Sequence, residues 1–233
     1  MKRLVCLLIG IAWVLAVTPC QATTVQFAQV WDIQLFDELF SNLPSGDHNT
    51  ITVSEPVAFQ FLYPTVGPVE LATMTLTADT TTAASTLFGF IVQPGYTGSF
   101  EIRLQSDNSL LLSGTFGILP AGGAVLSGLA GGGGATLEDS TQAGGPVGEV
   151  VFTSPYLTFT PGTVEAFSFS MSGVNSTPDH LHLYGAGPNV NYVVPFTAGG
   201  TGTFSADIVP EPLSLLLLGS GLVGLGLLRR RLK

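Results

Sequence analysis

The chain has very few basic residues, and almost all of them lie at its two ends. Of its 7 lysines and arginines, only Arg103 lies between Thr23 and Val209, whereas fifteen of the 16 acidic residues lie in that interval. Binding of nucleic acid through its phosphates needs clustered lysine or arginine, so this composition excludes nucleic acid as a partner. It also excludes a phosphate-loop lysine or a Schiff-base lysine there. An anionic polysaccharide would be repelled unless cations bridge the two.

Cysteine is nearly absent as well. Cys6 and Cys20 are the only 2 cysteines, and both lie in an N-terminal segment that we expect to be removed. A mature chain without thiols has no disulfide and no cysteine-ligated zinc or iron–sulfur site. The segment between the two ends must therefore rely on its own core, and it is long enough to bury one in a single domain.

Charged residues make up only 10% of the chain, whereas glycine, serine and threonine are plentiful. Few charges together with many small hydroxylated and β-branched residues favour strands and turns over surface helices. No segment of residues 45–209 has a helical period. We therefore predict an all-β fold for residues 23–208, an antiparallel β-sandwich that is jelly-roll-like.

Alternation of apolar and polar residues gives the clearest strand predictions. Residues 24–32 predict a first strand, and residues 99–105 and 110–116 predict a hairpin around a turn at Ser106-Asp107-Asn108. Phenylalanine and methionine alternate with serine over residues 167–172 and predict another strand. Further short strands are predicted over residues 51–63, 71–77, 150–152, 156–159, 181–184, 192–196 and 203–208.

Two segments read as loops. Residues 41–49 contain Asn42, Pro44, Gly46 and Asp47, which are typical of turns. Residues 119–148 contain three glycine clusters and few large side chains, which indicates either a long flexible surface loop or a linker between two halves. We favour the loop because neither half by itself has an obvious complete sandwich.

The N-terminus has the pattern of a secretory signal peptide. Lys2 and Arg3 precede an apolar core over residues 4–17, and small residues suit cleavage after Ala22. We therefore interpret residues 1–22 as a signal peptide and expect the protein to be exported. Lipidation of Cys20 is the less favoured alternative, because Pro19 stands where lipoprotein signals have a small residue.

The C-terminus carries a second apolar segment. Residues 213–228 contain no charge and are followed directly by Arg229, Arg230, Arg231 and, after one leucine, Lys233. As a helix this run would be about 24 Å long, slightly less than the roughly 30 Å hydrocarbon core of a bilayer, but the arginine side chains can reach the headgroups. The basic cluster predicts a single transmembrane helix with a cytoplasmic C-terminus. A buried core helix is the alternative, but a terminal run that ends in clustered basic residues is poorly placed for a core.

The tripeptide Pro210-Glu211-Pro212 stands directly before this run. Together, the tripeptide, the leucine- and glycine-rich run and the closing arginines resemble a PEP-CTERM sorting signal. The resemblance covers only residues 209–233 of the 233 and says nothing about residues 23–208. It implies an exported protein of a Gram-negative bacterium whose tail is recognised at the inner membrane by a protease-transpeptidase, an exosortase.

The same resemblance implies roles for individual residues of the tail. Pro210, Glu211 and Pro212 correspond to the recognition element near the processing site, and residues 213–228 correspond to the membrane span. The arginines after the span correspond to the membrane stop; they are Arg229, Arg230 and Arg231. Substrates of this kind are often associated with exopolysaccharide or biofilm, so a cell-surface or extracellular location after processing is implied.

Asp179-His180-Leu181-His182 is the strongest local pattern for a metal site. On a strand, His180 and His182 would share one face and could chelate a metal ion. A site would need a third ligand, such as His48 or an acidic residue brought in by the fold. The simpler interpretation is a turn aspartate followed by two edge-strand histidines, so we predict no metal and no cofactor.

Signals of catalysis are weak. No serine lies in a G-x-S-x-G motif, and the mature chain has no cysteine nucleophile. A pair of distant carboxylates for glycoside hydrolysis is left open by the sequence. Glu138-Asp139 and Asp107-Asn108 lie in predicted loops and could bind calcium, but they lack the spacing of calcium-binding loops. We predict that the protein is not an enzyme.

Three functions therefore remain, in order of preference. The first is a structural or adhesive protein of the envelope, exopolysaccharide or biofilm. The second is a carbohydrate-binding module, which a row of exposed aromatic residues would favour; candidates for such a row are Trp31, Tyr63, Tyr96, Tyr184 and Tyr192. The third is a glycan hydrolase, which would need two carboxylates, or a metal at His180 and His182, inside a cleft.

Overall fold

The structure of the protein is a computed structural model that describes residues 24–33, 39–45, 47–117, 122–140, 150–160, 163–176, 180–185 and 191–209. Within these ranges there are twelve strands and no helix, and all strand pairings are antiparallel. The prediction of an all-β antiparallel fold is therefore confirmed. The strands are β1 (Thr24–Asp32), β2 (Phe40–Ser45), β3 (His48–Phe61), β4 (Val69–Thr80), β5 (Ser85–Leu87), β6 (Phe90–Leu104), β7 (Leu110–Phe116), β8 (Ala124–Leu129), β9 (Gly134–Ser140), β10 (Val150–Thr153), β11 (Glu165–Ser176) and β12 (Phe196–Asp207).

The strand pairings form a closed circuit. It runs from β1 through β12, β11, β9, β8, β6, β4 and β3 and returns to β1. β2 occupies the same place in the circuit as β1, because it also pairs with β3 and β12. β5 pairs with β6 on the edge of β6 that pairs with β4. β7 pairs with β6 on the edge that also pairs with β8, opposite to β4. The other edge of β7 pairs with β10.

Phenylalanine side chains fill the interior of this circuit. Phe100 on β6 and Phe204 on β12 lie on opposite sides of the circuit, yet their ring centroids are only 5.1 Å apart. Phe169 and Phe167 of β11 and Phe152 of β10 also contact Phe100, at centroid distances of 5.8, 6.1 and 6.2 Å. Each buried ring contributes about 1.5–3 kcal/mol of hydrophobic free energy. Because residues 24–209 contain no cysteine, this aromatic cluster is a main source of stability.

The two clearest strand predictions are confirmed, because in both segments the apolar residues of the alternating pattern are the buried ones. In β6, Phe100 and Ile102 are buried while Glu101 is exposed, and β6 and β7 form the predicted hairpin. In β11, Phe167, Phe169 and Met171 are buried between more exposed serines. Arg103 donates from Nε to Glu101 Oε2 over 2.8 Å, and such an exposed pair contributes at most about 1 kcal/mol.

The predicted loop over residues 41–49 is instead a hairpin of β2 and the start of β3. Asn42 is buried, and its Nδ2 donates to the carbonyl oxygen of Val194 over 3.1 Å. Pro44 lies beyond the last residue of β2 that pairs with β12. Its missing N–H therefore interrupts no ladder on that side, and a proline is compatible with the strand.

The long flexible loop or linker predicted over residues 119–148 is also incorrect, because β8 and β9 lie within it. Several of their apolar residues are buried, among them Leu126 and Leu137. At Gly128 a Cβ atom would lie 2.6 Å from Leu181 Cδ2 and 2.7 Å from the carbonyl oxygen of Gly134. This glycine permits close packing of strands, whereas the sequence pattern suggested flexibility.

Three predicted strands are reduced to single bridges. Residues 181–184 and 192–196 are joined by one bridge between Leu183 and Val193, and residues 156–159 are joined to the residue after β12 by one bridge between Phe159 and Ile208. The main chain of His180 and Asn191 has positive φ, 78° and 68°. Such a conformation interrupts an extended strand, so these segments form irregular connections.

We predict that Gly128→Ala destabilises the protein, because its new methyl group would collide with backbone as well as with Leu181. Overpacking of this kind costs about 1–3 kcal/mol. Gly133→Ala is the matched control, since its Cβ would meet only His180 Nδ1, at 3.8 Å. Urea unfolding of both variants and the wild type measures the difference. Equal stability of all three would show that this segment is not packed as described.

We also predict a pH dependence that comes from Glu165. Its side chain is 7% exposed and accepts the N–H of Phe152 over 2.6 Å, and burial raises its pKa from 4.5 to about 7. The folded state therefore holds this proton more tightly than the unfolded state, so the stability from this group is full below about pH 4.5 and is lost as pH rises through 7.

Glu165→Gln removes this titration while keeping an oxygen that can accept the N–H of Phe152. The free energy of unfolding of the variant relative to wild type should rise by about 3 kcal/mol between pH 4.5 and pH 8, since each pKa unit corresponds to about 1.4 kcal/mol. Chemical denaturation at several pH values gives both curves. Parallel curves would rule out the assignment to Glu165.

Candidate functional site

An apolar cleft of about 270 Å³ lies at one end of the strands. It is formed by the connection after β3, the last residue of β6, the start of β7 and residues 156–157. We call it the apolar cleft; its lining includes Phe61, Tyr63, Leu104, Leu111, Tyr156 and Leu157. Glu70 is the charged residue of the described lining.

Main-chain and side-chain hydrogen bonds fix the connection that forms one wall. The N–H of Leu62 donates to the carbonyl oxygen of Phe27 over 2.7 Å, and the N–H of Gly67 donates to that of Phe61 over 2.9 Å. Gln60 Nε2 donates to the carbonyl oxygen of Gly67 over 2.8 Å. The wall is therefore held to strands β1 and β3 before any ligand binds.

Aromatic contacts fix the opposite wall. The rings of Phe61 and Tyr156 meet at a centroid distance of 5.7 Å in an edge-to-face arrangement, a geometry that aromatic pairs prefer. Ser154 Oγ donates to the carbonyl oxygen of Leu111 and accepts the N–H of Tyr156 over 3.2 Å. Tyr156 is nevertheless 58% exposed, so much of its surface is accessible to a partner.

The described lining of the apolar cleft is mostly aromatic and aliphatic, and its carboxylate is that of Glu70. Glycoside hydrolysis uses a pair of carboxylates. An uncharged group with an apolar face fits the lining best.

A second exposed apolar feature lies at the other end of β6. Phe88 and Gly89 form the two-residue turn between β5 and β6, and Phe88 is 93% exposed. Leu87, Phe90 and Leu129 surround it and are also exposed. We call these four residues the hairpin tip. β6 begins at Phe90 of the tip and ends at Leu104 of the apolar cleft, so its length separates the two features.

The structure does not bring His180 and His182 together as the metal site that the sequence allowed. The two residues are not on a strand, because His180 has a left-handed main chain. His182 Nδ1 donates to the carbonyl oxygen of His180 over 2.9 Å, and Ser176 Oγ donates to the same oxygen. Among the described residues, no three histidine, cysteine or carboxylate side chains are arranged so that they could hold a metal ion.

His48, considered as a third ligand, belongs to a different cluster. Its Nδ1 lies 2.8 Å from Asp79 Oδ2, and its Nε2 lies 3.4 Å from Asp47 Oδ1. The hydrogen bond to Asp79 and the charge of that carboxylate raise the pKa of His48. Thr50 Oγ1 donates to the other oxygen of Asp79 over 2.8 Å. The cluster is exposed, and it joins the start of β3 to the end of β4.

The acidic pairs predicted in loops differ in their surroundings. Glu138 and Asp139 lie on β9, at a shallow polar groove of about 480 Å³ that serines and threonines line. Asp107 does lie in a turn, where its Oδ1 accepts the N–H of Ser109 over 2.9 Å. Hydrogen bonds from Ser109 lower the pKa of Asp107. Neither pair lies in a group of three potential ligands among the described residues.

The five aromatic residues proposed for a carbohydrate-binding row do not form one. Tyr96 and Tyr192 are buried, while Trp31, Tyr63 and Tyr184 are half-buried. The Tyr96 hydroxyl accepts from Asn49 Nδ2 over 3.0 Å and donates to Gln93 Oε1 over 3.1 Å. Tyr96 therefore belongs to a buried polar network that joins β3 to β6.

The predicted signal peptide, the sorting tripeptide Pro210-Glu211-Pro212, the apolar run and the arginine stop lie outside the described residues. In the part of the chain that is described, no helix is long and apolar enough to cross a membrane. Comparisons with protein-family models, curated proteins and solved structures find no match to this chain.

Sequence reasoning missed both the apolar cleft and the hairpin tip. The cleft joins residues far apart in the chain, so no local pattern could indicate it. The tip has a local signal, since a glycine follows Phe88 in the middle of an apolar run and glycine favours tight turns. A phenylalanine beside that glycine is an unusual turn residue, which hid the signal.

We predict that Tyr96→Phe destabilises the protein by about 1–2 kcal/mol, because it removes the buried hydroxyl that accepts from Asn49 Nδ2 and donates to Gln93 Oε1. Tyr156→Phe, at an exposed ring, should change stability by less than about 0.5 kcal/mol. Thermal or urea unfolding of both variants measures the effect. A stable Tyr96→Phe variant with weakened polysaccharide binding would instead support Tyr96 as part of a sugar platform.

Proposed function

We propose that the protein is an exported, non-enzymatic protein of the cell envelope or extracellular matrix of a Gram-negative bacterium. Its signal peptide directs export, and an exosortase recognises Pro210, Glu211 and Pro212 at the inner membrane. The protein then serves a structural or adhesive role in exopolysaccharide or biofilm. The tail residues that resemble a PEP-CTERM signal are the basis of the sorting part of this proposal.

One structural observation supports the role that we propose for the folded domain. Thr24, the first residue of β1, pairs with Asp207, the last residue of β12, and Thr24 Oγ1 donates to Asp207 Oδ1 over 2.5 Å. Both flanking segments therefore connect to the same end of the strands. A domain tethered through this end would keep its opposite end, with the hairpin tip, free for contacts with other molecules.

We further propose that the domain has the two packed layers of a jelly-roll-like β-sandwich. The 5.1 Å contact between Phe100 and Phe204 supports this form, because the two strands are four pairings apart in the circuit. A circuit flattened into two layers brings such opposite strands together, with their inner side chains interdigitated.

Carbohydrate binding is the alternative function. The missing aromatic row weakens it, and the apolar cleft with Tyr63 and Tyr156 is the surface that remains for a sugar ring. The acidic domain should favour neutral polysaccharide over anionic polysaccharide. Retention on immobilised neutral polysaccharide that Tyr156→Ala abolishes would favour this alternative, and no retention on any polysaccharide would exclude it.

Intact mass of the native protein from cells tests the sorting proposal. We expect a chain that begins at Thr23 and lacks the tail after Pro212, because the signal peptide and the tail are both processed. A variant with alanine at Pro210, Glu211 and Pro212 should keep its tail. Glu138→Ala, far from the tail in sequence, is the control and should be processed normally.

Two results would contradict the proposal. Both ends found intact in a cytosolic protein would rule out export. A normal N-terminus with a tail that is unchanged in wild type and in the alanine variant would retain export and rule out processing through the tripeptide.

A further inference from the structure

The turn at the hairpin tip has an unfavourable residue for its geometry. Phe88 and Gly89 both have positive φ, 52° and 85°, which is the pattern of a type I′ two-residue hairpin turn. Asparagine or aspartate followed by glycine is preferred there, and a bulky residue with positive φ is an outlier. Strain of this kind concentrates at functional sites.

Exposure to water also disfavours a phenylalanine at position 88. Phe88 is 93% exposed, and Leu87, Phe90 and Leu129 extend the same apolar surface. The strand pairings bring these residues together, since Leu87 is opposite Phe90 and Phe90 is opposite Leu129. Residues 85–92 and 129–134 contain no charged side chain. The hairpin tip is therefore a protruding, uncharged apolar surface.

The apolar cleft has the complementary properties. It is concave and about 270 Å³ in volume, and phenylalanine, tyrosine and leucine side chains line it. The 15 residues of β6 separate it from the hairpin tip, so the tip of a molecule does not reach its own cleft.

We propose that the hairpin tip of one copy of this chain binds the apolar cleft of a second copy. The contact is head to tail, so each added copy leaves one free tip and one free cleft, and an open chain of copies results. Charge supports this partner: Glu70 would repel an acidic surface, but the tip presents none. An anionic membrane is the poorer partner, because the domain has one arginine and no lysine.

The size of the contact sets its strength. A few apolar side chains bury several hundred Å², less than the 1,200–2,000 Å² typical of stable complexes. The association is therefore weak in dilute solution and increases with the local concentration of copies. It suits the proposed structural role but does not depend on sorting, so it can be tested separately.

Disulfide trapping between two populations of the full-length chain tests the proposal. One population carries Leu87→Cys at the hairpin tip, and the other, with a different tag, carries Thr65→Cys at the cleft. Mixed in detergent and oxidised, they should give a mixed disulfide at least tenfold above that of a pair in which Ser54→Cys, on the exposed face of β3, replaces Thr65→Cys. A chain without introduced cysteine controls for Cys6 and Cys20.

Phe88→Asn separates binding from folding. It creates the preferred Asn-Gly turn, so the melting temperature should stay the same or rise. Added to the Leu87→Cys chain, it should lower the yield of the mixed disulfide at least tenfold. Tyr156→Asp in the Thr65→Cys chain should lower the yield similarly.

Three results would overturn the proposal. A product that joins two Leu87→Cys chains in preference to the mixed product would indicate tip-to-tip pairing. A mixed yield no higher than that of the Ser54→Cys pair would show that the two surfaces do not meet. An unchanged yield with Tyr156→Asp, together with lost binding of neutral polysaccharide, would assign the apolar cleft to a saccharide.

Discussion

The fold depends on the contact of phenylalanine rings across its interior. Phe100 meets rings from β10, β11 and β12 within 6.2 Å, so strands far apart in the pairing order share one core. With no cysteine expected in the mature chain, these contacts and the hydrogen-bond ladders take the place of covalent cross-links. The same core leaves the charged residues on the surface, apart from a few such as Glu165, and that carboxyl group responds by a raised pKa.

Predictions from the sequence succeeded where the alternation of residue types along the chain follows the burial of their side chains. In β6 and β11 the period of two places phenylalanine inside and polar residues outside, and the strands form as predicted. They failed at Gly128, because a glycine needed for close packing looks the same in sequence as a flexible one. They also failed at His180, whose left-handed main chain is set by surroundings that the local sequence does not encode.

The candidate sites also differ in whether a local sequence pattern indicates them. The tail is a contiguous motif, so the sequence alone indicates it, and its residues lie outside the described part of the chain. The apolar cleft unites Tyr63, Leu104 and Tyr156 only after folding. At the hairpin tip, local turn preference and the actual residue disagree at Phe88. A natural sequence that breaks a local rule in this way commonly does so at a functional position.

The pairing of Thr24 with Asp207 has a mechanical consequence. If the domain is held through Val209 and loaded at its far end, the force runs lengthwise along β12. The ladders on both sides of that strand, to β1 and to β11, then resist sliding together, and they cannot be peeled apart one bond at a time. Forced unfolding is governed by the height of the unfolding barrier, so this geometry is compatible with mechanical load in the surface role proposed above.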